Sequence, residues 1–176
     1  MRSLGALEPP QPADIRPVDP VIRRPSLADI AGLAVLFSEM QSHYGRPVSG
    51  EAATRAAALA CRPPIHAFDP RVLIAVVGGE IVGSLVMNVT FPAFELSKSL
   101  YIRDLYISRQ VRRHGVGRAL VRAGARVAVS EGFSALEWTT ESMNTAARRM
   151  YEMCGARQLE RTYYRLFDDS LINAAG

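Results

Sequence analysis

The sequence predicts an α/β fold: one domain with a mixed, largely antiparallel sheet flanked by helices. Three observations point there. Val72 to Val77 and Ile81 to Phe91 are β-branched apolar runs joined by Gly78-Gly79-Glu80, a hairpin that begins an antiparallel sheet. Leu100 to Thr140 reads strand, amphipathic helix, strand, and such a crossover pairs its two strands in parallel. Helical periodicity before the hairpin and beyond the crossover supplies the layers that cover the sheet.

In chain order, residues 1–20 carry Pro9, Pro10, Pro12, Pro17 and Pro20 without an amphipathic period, and are expected to be an irregular lead. Residues 21–176 form the predicted domain. Val21-Ile22-Arg23 is a short strand candidate. Ser26 with Asp29 three residues on approximates a capping box, and Leu27, Ile30, Ala34, Phe37 and Gln41 follow at helical spacing, widened by Leu33 and Met40. A loop through Tyr44-Gly45-Arg46-Pro47 leads to an alanine-rich helix over Glu51 to Ala60, stopped by Cys61-Arg62-Pro63-Pro64. After the hairpin come a strand at Leu100–Ile107 and a helix from Gly115 to about Ser130, with Val116, Leu120, Ala123 and Val127 inward. A strand at Ala135–Thr140, a helix at Asn144–Met153 closed by Gly155, and a last strand at Thr162–Phe167 complete the order.

Composition bounds the function. Over 176 residues, 48% hydrophobic and 22% charged content is ordinary for a globular chain. No apolar run approaches the roughly 20 residues a membrane helix needs, and no secretory h-region precedes the first prolines, so a membrane role is not expected. Cys61 and Cys154 form neither a disulfide framework nor a zinc pattern; a reducing, cytoplasmic setting and no metal are expected. The formal charge is +4, and all 21 basic residues except Lys98 are arginine. Such a balance suits anionic ligands without choosing among them. Arg118, Arg122 and Arg126 make a basic stripe, but no aromatic stacking platform accompanies it, which argues against a nucleic-acid partner.

The most informative segment is Ser108 to Gly117, between an apolar strand and an amphipathic helix. A helix N-terminus presents unpaired N–H groups and the positive end of a dipole, and so receives anions. Gly115 and Gly117 let phosphate oxygens approach the backbone, and Arg112, Arg113 and Arg118 surround the same place with cationic donors. The spacing Arg112-x-x-Gly115-x-Gly117 matches neither the P-loop nor the dinucleotide G-x-G-x-x-G. By itself it licenses an anion site and no more.

With its surroundings, this segment resembles the R/Q-x-x-G-x-G/A motif of the GNAT superfamily of N-acetyltransferases. The resemblance runs from about Ile22 to Phe167. It includes the strand D-L-Y-I before the loop and a second block, Asn144-x-x-Ala147-x-x-Met150-Tyr151-x-x-x-Gly155-Ala156, like the family's N-x-x-A-x-x-x-Y-x-x-x-G-F/A. It implies acetyl-CoA as co-substrate. Leu105, Tyr106 and Ile107 would lend backbone hydrogen bonds to the pantetheine arm, and Arg112, Arg113, His114, Gly115, Val116, Gly117 and Arg118 would grip the pyrophosphate. Asn144 would lie near the cofactor, and Tyr151 would be the general acid. The family's fold further implies that the Leu100–Ile107 and Ala135–Thr140 strands splay apart. Homodimers are common in the superfamily.

Acyl transfer to an amine needs a neutral amine, a donor for the oxyanion and a proton for the leaving thiolate. Tyr151 suits the last task, because a tyrosine of pKa about 10 keeps its proton at neutral pH. It lies two helical turns from Asn144, on the same face. The base is sought first in Asp104, with Glu39, His43, Glu137 and Glu141 as further candidates. Trp138-Thr139-Thr140 and Tyr44 are candidates for pocket walls.

Within the superfamily, LYIRDLYI is most similar to the strand of the spermidine/spermine and thialysine acetyltransferases, close to L-Y-L-E-D-L/F-F/Y-V. Arg103 stands where that pair has Glu, and would repel a polyamine if it faced the pocket. Strand alternation sends Arg103 and Asp104 to opposite faces unless a bulge intervenes. A small-molecule primary amine or amino acid is the expected acceptor. A non-catalytic acyl-CoA sensor is the competing reading.

Overall fold

The computed structural model describes residues 19–176; residues 1–18, most of the predicted lead, lie outside the described residues. The elements in order are β1 (Val21–Arg23), α1 (Ile30–His43), α2 (Gly50–Ala60), β2 (Arg71–Val77), β3 (Glu80–Thr90), β4 (Ser99–Ile107), α3 (Val116–Ser130), β5 (Leu136–Glu137), α4 (Thr145–Met153) and α5 (Asp169–Ala175). The strands form one five-stranded sheet in sequence order. β1 to β4 pair antiparallel, and β5 joins β4 in parallel, as a strand–helix–strand crossover requires.

Alternation along the strands divides the core between the sheet's two faces. Leu73 and Ala75 of β2, Leu85 and Met87 of β3 and Leu100 and Ile102 of β4 pack under α3 against Val116, Leu120 and Ala123. Ile74 and Tyr106 face the other way, beneath Leu33, Leu36 and Phe37 of α1 and Ala53 and Ala57 of α2. Small alanines let α2 lie close to α1, and Ser49 caps it by accepting from the Ala52 N–H at 3.2 Å. The predicted box at the start of α1 is present. The Ser26 N–H donates to Asp29 at 2.7 Å, and Asp29 also pairs with Arg23 at 2.7 Å, fastening β1 to the helix entry.

Two expectations are corrected. Thr162–Phe167 is not a strand, and residues 157–176 are exposed throughout. Its Tyr163, Tyr164, Leu166 and Phe167 favour a pleated conformation, but strand preference becomes a strand only against a partner edge, and none pairs with it here. β5 is therefore the last strand of the sheet, and the seven-residue α5 follows instead. The strand predicted over Ala135–Thr140 shortens to two residues, because it leaves β4 immediately after pairing.

Candidate active site

β4 and β5 pair only at Leu100 with Leu136 and Tyr101 with Glu137. Beyond that point, among the described residues, β4 has β3 on one side and no strand on the other, so half of its main-chain donors and acceptors from Ile102 to Ile107 are not used by the sheet. This is the splay the family resemblance implied, and it contains Leu105, Tyr106 and Ile107. The Tyr106 side chain is buried on the far face, 2% exposed, and does not enter the gap.

A bulge sits where the strands part. Val86 is opposite Asp104 and Met87 is opposite Ile102, which leaves Arg103 without a partner. The extra residue reverses the alternation: Leu100 and Ile102 face α3 before it, and Leu105 and Ile107 do so after it. As a result Arg103 and Asp104 line one cleft of ≈ 160 Å³. Trp138, Thr139 and Thr140 form its wall beyond β5, and Asn144 and Tyr151 of α4 and Tyr44 at the end of α1 close it.

Asp104 is the unusual group in this cleft. Its Oδ2 is buried and has no hydrogen-bond partner among the described residues. Burial pushes its carboxyl up to about 6, against the opposing charge of Arg103. Tyr151 packs its ring on Trp138 with centroids 5.0 Å apart. Burial raises its hydroxyl above the ordinary tyrosine value, and the nearby Tyr44 and Asp104 push the same way, so it stays protonated well past neutrality. Tyr44 is shifted upward too, by burial first and by Asp104 second. The cleft thus combines a carboxylate that titrates near neutrality with hydroxyls that do not.

The predicted anion loop leaves β4 through a short 3₁₀ turn at Arg109–Val111 and enters α3 at Gly115. Gly115 caps the helix at φ +82°, a left-handed conformation that suits glycine. Gly117 is needed neither for conformation nor for packing: a Cβ there would meet Met150 Cε at 3.7 Å and Ile107 Cγ1 at 3.8 Å, both ordinary contacts. Its missing side chain leaves room above the helix N-terminus. No side chain caps α3. Arg113 and Arg118 are exposed beside it, and Val116 is buried beneath. His114 is turned inward, its Nδ1 2.8 Å from the Arg112 carbonyl. Arg112 folds back over the sheet, donating Nε–H to the Ile107 carbonyl at 3.0 Å with its guanidinium 5.5 Å from the Tyr106 ring centre.

The remaining base candidates stand elsewhere. Glu39 accepts from the Tyr106 hydroxyl at 3.0 Å and from the Arg109 N–H at 2.9 Å. Burial raises its carboxyl, but the donors from Arg109, Ser108 and Tyr106 outweigh it and the net shift is downward. Glu39 therefore anchors the start of the anion loop to α1, a role 70 residues away in sequence with no local signal. His43 is occupied with Arg109, its Nδ1 3.0 Å from the guanidinium. Glu137 accepts from Ser99 Oγ at 3.0 Å, and Glu141 is exposed. Asn144, expected near the cofactor, lines the cleft, and its Oδ1 accepts from the Ala147 N–H at 3.2 Å and caps α4.

The mixed sheet that parts at β4 is the fold the family resemblance implied. Residues 33–156 match the Acetyltransferase (GNAT) family, and the chain belongs to it. An uncharacterized N-acetyltransferase of Bacillus subtilis is 29% identical over 134 residues, covering 76% of this chain and 87% of that protein. The thialysine N-epsilon-acetyltransferase of Mus musculus is 26% identical over 141 residues, covering 78% and 82%. An integron cassette protein from the mobile metagenome of Vibrio cholerae superposes with a TM-score of 0.75 at 26% identity, over 89% of this chain and 97% of its own. These relationships support N-acetyltransferase activity.

Proposed function

We propose that the protein transfers the acetyl group of acetyl-CoA directly to a primary amine of a small molecule. The observation that carries this reading is the unpartnered, buried Asp104 carboxylate in one cleft with Tyr151, at the point where β4 leaves β5. The residues present suit the donor. The open edge of β4 at Leu105–Ile107 accommodates an amide-bearing arm. The uncapped start of α3, with Gly117 unfilled and Arg113 and Arg118 beside it, accommodates a pyrophosphate. Acetyl-CoA supplies an activated thioester carbonyl.

In this mechanism Asp104 takes a proton from the acceptor ammonium, for which a carboxyl near 6 is well placed at neutral pH. The freed nitrogen lone pair forms the C–N bond as the C–S bond breaks. Tyr151 gives its hydroxyl proton to the departing sulfur and recovers one from the acylated nitrogen, so one proton leaves in all, by way of Asp104. Backbone N–H groups on the open edge of β4 are the available donors for the carbonyl oxygen.

The test is release of free thiol from acetyl-CoA across a panel of primary amines, with wild type and Tyr151→Phe. The wild type is expected to turn over, and the variant to lose about 10²-fold in kcat, the usual worth of a positioned acid, with the KM for acetyl-CoA held. Tight acetyl-CoA binding without turnover of any amine would replace this reading with a non-catalytic sensor.

A further inference from the structure

The bulge at Arg103 gives the acceptor side of the cleft two charges of opposite sign. On a regular strand, neighbouring residues point to opposite faces; here the unpaired Arg103 and the next residue, Asp104, line the same cleft. Among the described residues Arg103 enters no ion pair. Asp104 lies deeper and is likewise unpaired through Oδ2. The two do not neutralise each other by a direct salt bridge. The cleft is therefore lined by a half-buried acid and an exposed arginine, neither of them in an ion pair among the described residues.

Resting on the transferase reading above, we propose that the acceptor is an amino acid-like molecule, with a primary amine directed to Asp104 and a carboxylate held by Arg103. A polyamine would set its second ammonium against Arg103, where like charges oppose. A plain alkylamine would leave Arg103 unused. A carboxylate-bearing amine satisfies both groups, and a guanidinium favours that partner because its planar donors match two carboxylate oxygens. The aromatic wall of Tyr44, Trp138 and Tyr151 contacts the alkyl part between them.

The experiment compares four acceptors with acetyl-CoA as donor: pentylamine, cadaverine, δ-aminovalerate and L-lysine. The expected order of kcat/KM in the wild type places the two carboxylate-bearing amines first, pentylamine next and cadaverine last. Arg103→Ala should raise the acceptor KM for δ-aminovalerate and L-lysine about tenfold, a common cost of losing one charge-assisted hydrogen bond, while pentylamine and the acetyl-CoA KM hold. Arg103→Glu should bring cadaverine ahead of δ-aminovalerate. A wild type that prefers cadaverine, or an Arg103→Ala variant that weakens all four acceptors equally, would overturn the assignment and leave acetyl transfer standing. Failure of all four, with turnover of some other amine, would also remove the substrate class alone. Absence of turnover with every amine would remove both readings.

Discussion

The starts of α3 and α4 are built in opposite ways. α4 opens on Asn144, whose side chain accepts from the Ala147 N–H and so uses one of the donors that a helix start leaves free. α3 opens on Gly115, which has no side chain to cap with, and Gly117 behind it leaves the approach clear. A closed helix start serves to hold a residue in place, here Tyr151 two turns on. An open one leaves its donors free, and on the proposed reading they receive the anion of the donor. Asn144, expected near the cofactor, commits its oxygen to α4, and on the proposed reading the pyrophosphate is left to the start of α3.

The contrast can be tested from its chemically active end. Asp104→Asn is expected to lower kcat/KM by about 10²-fold, since the proposed base is lost while shape is kept. The same change should raise stability at pH 8. The folded-state pKa of about 6 lies above the unfolded value, so the folded chain holds more protons between about pH 4 and 6 and loses stability as pH rises through that window. By linkage the cost approaches about 3 kcal/mol once the carboxylate is fully ionised. Thermal melts of both proteins from pH 4 to 8 check this: the advantage of Asn should vanish at the acid end. In the wild type, kcat/KM should fall as pH drops through about 6.

At the open helix start, Arg112→Ala is expected to raise the KM for acetyl-CoA about tenfold with kcat nearly unchanged, because Arg112 braces the loop through the Ile107 carbonyl and adds charge. Gly117→Ala separates ligand approach from folding. The new Cβ meets only ordinary protein contacts, so melting should hold while the acetyl-CoA KM rises several-fold. At the closed start, Asn144→Ala should cost about 1 kcal/mol of stability, the usual worth of a cap, and change the acetyl-CoA KM least. An Asn144→Ala effect on donor binding as large as that of Gly117→Ala would erase the distinction between the two helix starts.

Much of the fold was legible in the chain. The Gly78-Gly79-Glu80 turn between apolar runs announced the β2–β3 hairpin, and the inward stripe of Val116, Leu120 and Ala123 announced α3, because hydrophobic period and turn chemistry are local. Thr162–Phe167 misled for the converse reason: aromatic residues favour a strand locally, but pairing depends on an edge elsewhere. Of the residues singled out by spacing, Asn144 and Tyr151 line the cleft and Gly115 opens α3. The part played by Glu39 was not legible that way, because its partners Tyr106 and Arg109 lie on another element.

The sequence by itself determined the family, the glycine-rich start of α3 and the tyrosine that stands in the cleft, since these depend on residue types at fixed short spacings. Tertiary structure decided which carboxylate stands free. Glu39, Glu137 and Asp104 are equal as acids in a chain, but Tyr106 and Arg109 occupy the first and Ser99 the second, while the parting of β4 from β5 leaves the third buried and unpaired. It also decided that Arg103 joins Asp104 in one cleft. One unmatched residue opposite β3 reverses the strand's alternation, and its place is set by pairing with a strand that closes more than ten residues earlier in the chain.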